Sequence, residues 1–142
     1  MRLNEYGEIV RKEWMKTGRI RANVQIHENE FVIMPNHVHG IIWIVDDNDP
    51  IAGARRRHVG ARRRRAPTER FGKPVLGSIP TIVRAYKSVV TFRINALRGI
   101  RGMPVWQRNF YEHIIRDEQQ WERIHAYIEA NPLNLESDEE NR

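Results

Sequence analysis

The chain has 142 residues, 40% of them apolar, with no cysteine, a net charge of +6 and a pI near 10.2. That length suits one domain with one core, and the lack of cysteine excludes disulfides, thiolate metal sites and cysteine nucleophiles. No apolar run approaches the ~20 residues that cross a bilayer, no secretory signal opens the chain, and the basic balance favours a polyanionic partner, nucleic acid first, so a soluble intracellular protein is expected.

In chain order, residues 3–16 predict a helix. Tyr6, Ile9, Val10 and Trp14 recur at helical spacing between charges, and Gly18 is the expected stop. Residues 23–26 read as a short extended stretch. Phe31-Val32-Ile33-Met34 reads as an apolar strand, Pro35-Asn36 as a turn, and residues 37–45 as a second strand rich in β-branched side chains. An antiparallel hairpin with a tight connection follows from that pattern.

The basic charge sits in one segment. Residues 55–73 hold nine Lys or Arg against one acid, Glu69, which is more than the whole chain's excess. Residues 46–77 therefore read as a basic insert with too few apolar residues to pack, able to attract DNA loosely by releasing counterions. Residues 78–97 predict a second helix, with Ser78 as its N-cap, Pro80 in its first turn and Gly99 at its end. Its apolar positions include Ile82, Tyr86, Val90 and Ile94. Arg84, Lys87 and Arg93 line its polar face, either as contacts to DNA phosphates or as an ordinary solvated surface. Part of residues 105–115 has the mixed pattern of a strand. Residues 117–130 predict a third helix, with Asp117 and Glu118 at its positive end and a stop at Asn131-Pro132. Residues 136–142 form an acidic tail. The order α-β-β-α-(β)-α predicts an α+β domain over residues 1–135, with helices on an antiparallel sheet.

Two patterns carry chemistry. In His37-Val38-His39, residues two apart on a strand face the same way, so both imidazoles can grip one divalent ion. In Tyr127-Ile128-Glu129-Ala130-Asn131-Pro132, Tyr127 and Asn131 lie on one helical face, beside an apolar stripe of Trp121, Ile124 and Ile128. The plain alternatives are incidental histidines, a core tyrosine and a helix-capping asparagine. Tyr111, followed by Glu112 and His113, is a second tyrosine with polar neighbours able to act as a nucleophile. His113 reads as a DNA contact, a residue behind the metal ligands or a structural one. His27, His58 and His125 have no partner visible in the sequence and read as surface residues. Trp106 and Phe110 are either core aromatics or platforms for unpaired bases.

Together, Phe31-Val32-Ile33-Met34-Pro35-Asn36-His37-Val38-His39-Gly40-Ile41-Ile42, Trp106-Gln107-Arg108-Asn109-Phe110-Tyr111-Glu112-His113-Ile114-Ile115-Arg116-Asp117 and Tyr127-Ile128-Glu129-Ala130-Asn131-Pro132 resemble the REP-associated tyrosine transposases, a branch of the single-tyrosine HUH transposases. The resemblance implies a ferredoxin-like α+β fold, an antiparallel sheet flanked by helices. It implies that His37 and His39 are metal ligands, that Tyr127 is the nucleophile, and that Asn131 stands where related transposases carry a glutamine ligand. It also implies Mg²⁺ or Mn²⁺ as cofactor and single-stranded, hairpin-forming DNA repeats as substrate. The product would be a covalent 5′-phosphotyrosine, made by a nucleoid-associated cytoplasmic enzyme, monomer or homodimer. Arg84, Lys87, Arg93 and His113 are the expected DNA contacts. The chain departs from the family in its long arginine-rich insert and in lacking the usual first strand. An inactive remnant that still binds DNA hairpins is therefore the alternative expectation, and a metal-binding structural protein a third.

Overall fold

The computed structural model describes residues 2–45 and 75–131. Most of the basic insert, with His58, and the acidic tail lie outside the described residues. Helix α1 is Glu5–Arg19. It starts where the Asn4 side chain accepts the Gly7 N–H at 2.9 Å, filling one of the orphan donors of the first turn. Glu5 and Glu8 at its start and Lys16 and Arg19 at its end complement the helix dipole. Gly18 does not stop it. The helix continues to Arg19, and a Cβ on Gly18 would sit 3.3 Å from the Ile26 Cβ, so that glycine serves a close approach rather than a cap.

The hairpin contains four short strands: β1 Val24–Gln25, β2 Phe31–Ile33, β3 Val38–Gly40 and β4 Trp43–Ile44. β2 pairs antiparallel with β3, placing Val32 opposite His39, and β1 pairs antiparallel with β4, placing Gln25 opposite Trp43. The offset between partners shifts by three residues from one ladder to the other. The 3-10 turn Glu28–Glu30 takes up that shift on the first arm. The expected continuous strand over 37–45 is accordingly two strands, broken where Ile41 turns into the core and its N–H donates to the Glu30 carbonyl at 3.0 Å.

Helix α2, Ile79–Arg98, begins at Ser78, whose hydroxyl accepts from the Thr81 N–H, and ends at Gly99 with φ +67°. A left-handed residue is needed there, and glycine adopts it without a Cβ clash. Ile82, Tyr86, Val90 and Ile94 are its buried stripe, while Val89, Phe92 and Leu97 stay exposed. Helix α3, Glu118–Ala130, is capped by the Asp117 carboxylate, which accepts from the Gln120 N–H at 2.8 Å. Residues 105–115 form no strand. Their neighbourhood bonds to α2 side chains instead: Asn95 donates to the Met103 carbonyl at 2.8 Å, and Lys87 to those of Gln107 and Asn109 at 2.7 and 2.8 Å. With carbonyls met by side chains, no ladder forms along that segment.

The core lies between α1, α2 and the β2–β3 pair. Val10, Trp14, Tyr86, Val90 and Ile94 form its centre, with Phe31, Ile33, Val38 and Trp106 packed around them. Trp14 stacks on Phe31 at 4.7 Å between ring centroids and meets Tyr86 edge-on at 5.1 Å. Arg93 and the buried Glu13 form an ion pair at 2.9 Å between α2 and α1. The result is a small α+β fold in which two antiparallel strand pairs are flanked by three helices. Among the described residues no helix is long and apolar enough to cross a membrane.

Two outcomes test this packing. A Cβ on Gly40 would collide with the Trp14 indole and lie 2.9 Å from the Phe31 ring. Gly40→Ala should lower stability by about 1–3 kcal/mol, the usual cost of overpacking, as read by urea denaturation. The Tyr86 hydroxyl, which donates to the Val10 carbonyl at 3.1 Å, has its pKa raised first by burial and then by Glu13. A pKa raised on folding gives stability that is complete below the unfolded value, near 10, and lost as pH rises beyond it. The unfolding midpoint should therefore fall above about pH 10, and Tyr86→Phe should flatten that fall.

Candidate functional site

The two histidines are set by the hairpin's tight turn. The Met34 N–H donates to the His37 carbonyl at 2.9 Å, closing the turn over Pro35 and Asn36. His37 is thus the last residue of the turn and His39 the middle of β3. Despite that difference in backbone, their rings come together, with centroids 4.7 Å apart and planes at 80°. Asn36 Oδ1 lies 2.6 Å from His37 Nδ1. An amide oxygen only accepts, so Nδ1 carries the proton and Nε2 keeps its lone pair in the neutral ring, the form a metal requires. Nε2 of both histidines is closed to solvent.

Tyr127 completes the row. Its ring centroid lies 5.3 Å from that of His39, at 80° between planes. It is 47% exposed, so it is not a core aromatic but a phenol at the surface beside two imidazoles. Asn131, one turn further along, is 3% exposed and caps α3, its backbone N–H donating to the Tyr127 carbonyl. Its Nδ2 is buried and has no hydrogen-bond partner among the described residues. Among those residues no group of three His, Cys, Asp or Glu could hold a metal ion. The candidate site therefore brings together two imidazoles and a phenol, with the Asn131 amide four residues beyond Tyr127 on the chain.

Helix α3 reaches the hairpin through a residue that the sequence reading passed over. Glu30 is 3% exposed and accepts an indole N–H on each carboxylate oxygen, from Trp43 of β4 at 2.5 Å and from Trp121 of α3 at 3.0 Å. Asn29 Nδ2 adds a contact to His125 Nε2 at 3.1 Å, and the His125 ring lies 4.8 Å from that of Trp121. His125, expected at the surface, is only 15% exposed in its side chain and docks the helix. The visible signal was an acid directly ahead of an apolar strand, in a chain whose hairpin and third helix each carry a tryptophan with an N–H to satisfy.

The other expected residues are scattered over the molecule. Arg84, Arg93 and His113 are exposed, and Arg93 faces Glu13. Lys87 is half-buried, and burial lowers its pKa. Two of its three N–H donors already serve backbone carbonyls. Tyr111, the rival nucleophile, is 86% exposed.

Replacing the Glu30 carboxylate tests the docking of α3. Glu30→Gln sets an amide N–H₂ against an indole N–H, leaving a buried donor unmet, and should cost about 1–3 kcal/mol in urea denaturation. A wild-type midpoint would show that this carboxylate does not hold α3 to the hairpin.

No family model matches the chain, and no solved structure matches it. A protein of Haemophilus influenzae, described as an "Uncharacterized protein", is 38% identical over 139 residues, covering 98% of this chain and 71% of its own length. At that identity and coverage, the chain belongs to the family of that Haemophilus influenzae protein.

Proposed function

We propose that the chain cleaves and rejoins single-stranded, hairpin-forming DNA through a covalent bond to Tyr127, in the manner of the transposases it resembles. The observation that carries this reading is the contact row His37–His39–Tyr127, which joins two motifs 88 residues apart in the sequence. The finer description of the fold as ferredoxin-like belongs to the same proposal. So does a working place on the nucleoid in the cytoplasm.

The roles follow from chemistry. His37 and His39, with Asn131 as an oxygen donor, would hold Mg²⁺ or Mn²⁺. The ion supplies charge withdrawal from the scissile phosphate, making phosphorus more electrophilic. The Tyr127 oxygen forms a bond to phosphorus while the bond to the 3′ oxygen breaks. The phenolic proton leaves to solvent, which the half-exposed ring permits, and the departing 3′ oxygen gains a proton. A phenol of pKa ~10 is a weak nucleophile, so its in-line placement matters most. The docked α3 helix supplies that placement. One phosphodiester replaces another, so a 3′-hydroxyl can reverse the reaction without ATP. Asn36 keeps His37 in the tautomer with a lone pair on Nε2.

Incubation with a labelled hairpin oligonucleotide and Mn²⁺ should give a slow band on a denaturing gel. Tyr127→Phe should abolish the band and leave binding intact, and an adduct formed by the Phe variant would remove Tyr127 from the mechanism. Asn36→Ala should weaken Mn²⁺ affinity about 10–100-fold, the usual effect of losing a partner behind a ligand, as measured by calorimetry. Binding without any adduct in the wild-type chain would instead identify a DNA-hairpin-binding protein without catalysis.

A further inference from the structure

The segment between α2 and α3 is anchored at both ends and bare in the middle. At its start, Lys87 Nζ donates to the carbonyls of Gln107 and Asn109 at 2.7 and 2.8 Å. Asn109 then turns the chain at φ +65°, a conformation asparagine tolerates better than most residues. At its end, the Arg116 N–H donates to Gln120 Oε1 at 3.0 Å, and Asp117 caps α3. Between these anchors, residues 110–116 run without a bend, a turn or a ladder. Among the described residues, no backbone–backbone hydrogen bond involves residues 110–115. Phe110, Tyr111 and Ile114 are 43, 86 and 69% exposed along this run. An unbent stretch of open main chain with large apolar side chains is a template for another strand, and its fixed ends lower the entropy lost on pairing.

We infer that residues 110–116 pair antiparallel with the same segment of a second copy of the chain, about a two-fold axis at Ile114. Side chains alternate along an unbent run, so Phe110, Glu112, Ile114 and Arg116 share one side. The two-fold axis of an antiparallel strand pair passes through a residue that faces its own mate. With Ile114 in that place, Glu112 of each copy faces Arg116 of the other, because the two stand at equal distance on either side. Centring on Glu112 would oppose two carboxylates and set Arg108 against Arg116. Centring on His113 would set Glu112 against Ile114. Charge therefore selects the Ile114 register. The main chain agrees with it. The Arg116 N–H is turned to Gln120, so the Glu112–Arg116 pair is of the kind without mutual main-chain bonds, in which side chains come closest. His113 and Ile115 then exchange the main-chain bonds. Copies of a chain with net charge +6 repel, but residues 110–116 hold one Glu and one Arg and so let two copies meet on a balanced edge. The pairing does not rest on the chemistry of the His37–Tyr127 site.

Sedimentation equilibrium of the full chain, from micromolar to near-millimolar concentration, is the test. A single strand pair is a small interface, so a weak dimer that grows with concentration is expected. Glu112→Arg and Arg116→Glu should each weaken dimerisation at least about tenfold, since each turns two attractive cross-strand pairs into repulsive ones. The variant carrying both changes should regain wild-type association. Both side chains are exposed, so the fold should persist, as circular dichroism would verify. In hydrogen exchange, the amides of His113 and Ile115 should slow as concentration rises, while those of Glu112 and Ile114 stay fast. A monomer at every concentration, single variants that associate like wild type, or a double variant that does not recover would each overturn the inference. Slow exchange at His113 and Ile115 that ignores concentration would also overturn it, by showing that another part of the same chain covers the edge.

Discussion

The Glu30 carboxylate accepts one indole N–H from the hairpin and one from α3, and it does so while almost wholly buried. A buried carboxylate is tolerable only when its oxygens are met, and here tryptophans from two different elements meet them. That requirement sets how the hairpin carrying His39 and the helix carrying Tyr127 lie against each other. Ile128 on the same helix is buried and adds apolar contact, but apolar contact has no direction. The paired hydrogen bonds have one, and they choose the rotation and height at which α3 sits. His39 meets Tyr127 because Trp121 and Trp43 share an acid.

On the opposite side, the hairpin is held by its close fit over α1. Gly40 follows His39 directly, and its missing side chain lets the Trp14 indole lie against the strand. Trp14 in turn stacks on Phe31, the residue paired with Gly40 across the ladder. The strand that bears His39 is thereby backed by a packed aromatic layer. A rigid support of that kind is what positioning chemistry needs, since misplacement by about 1 Å can cost on the order of a hundredfold in rate.

The same logic shows which cations build the fold. Arg93 answers the buried Glu13, and Lys87 ties the 104–110 turn to α2. Arg108, on the segment that Lys87 holds, is exposed. The residue pattern groups Arg84, Lys87 and Arg93 as one polar face, yet Arg84 and Arg93 stand about two and a half turns apart and so on opposite sides of α2. The pattern had no means of showing that Arg93 pairs with a buried acid or that Lys87 holds two backbone carbonyls.

Local rules carried much of the fold. Asn4, Ser78 and Asp117 start the three helices, Gly99 ends the second, and Pro35-Asn36 turns the hairpin, because caps and turns depend on a few adjacent residues. The spacing of His37 and His39 likewise brought their rings together. What the sequence left open depended on neighbours far along the chain. The shift in strand register over Glu28–Glu30, the irregular path of residues 105–115 and the docking role of His125 all follow from contacts across tens of residues. The sequence by itself determined the helix caps, where the chain turns and that the two histidines of the hairpin come together. Only the tertiary structure decided that Tyr127 stands beside His39, because that contact depends on Glu30 joining Trp43 to Trp121, residues 78 apart in the chain.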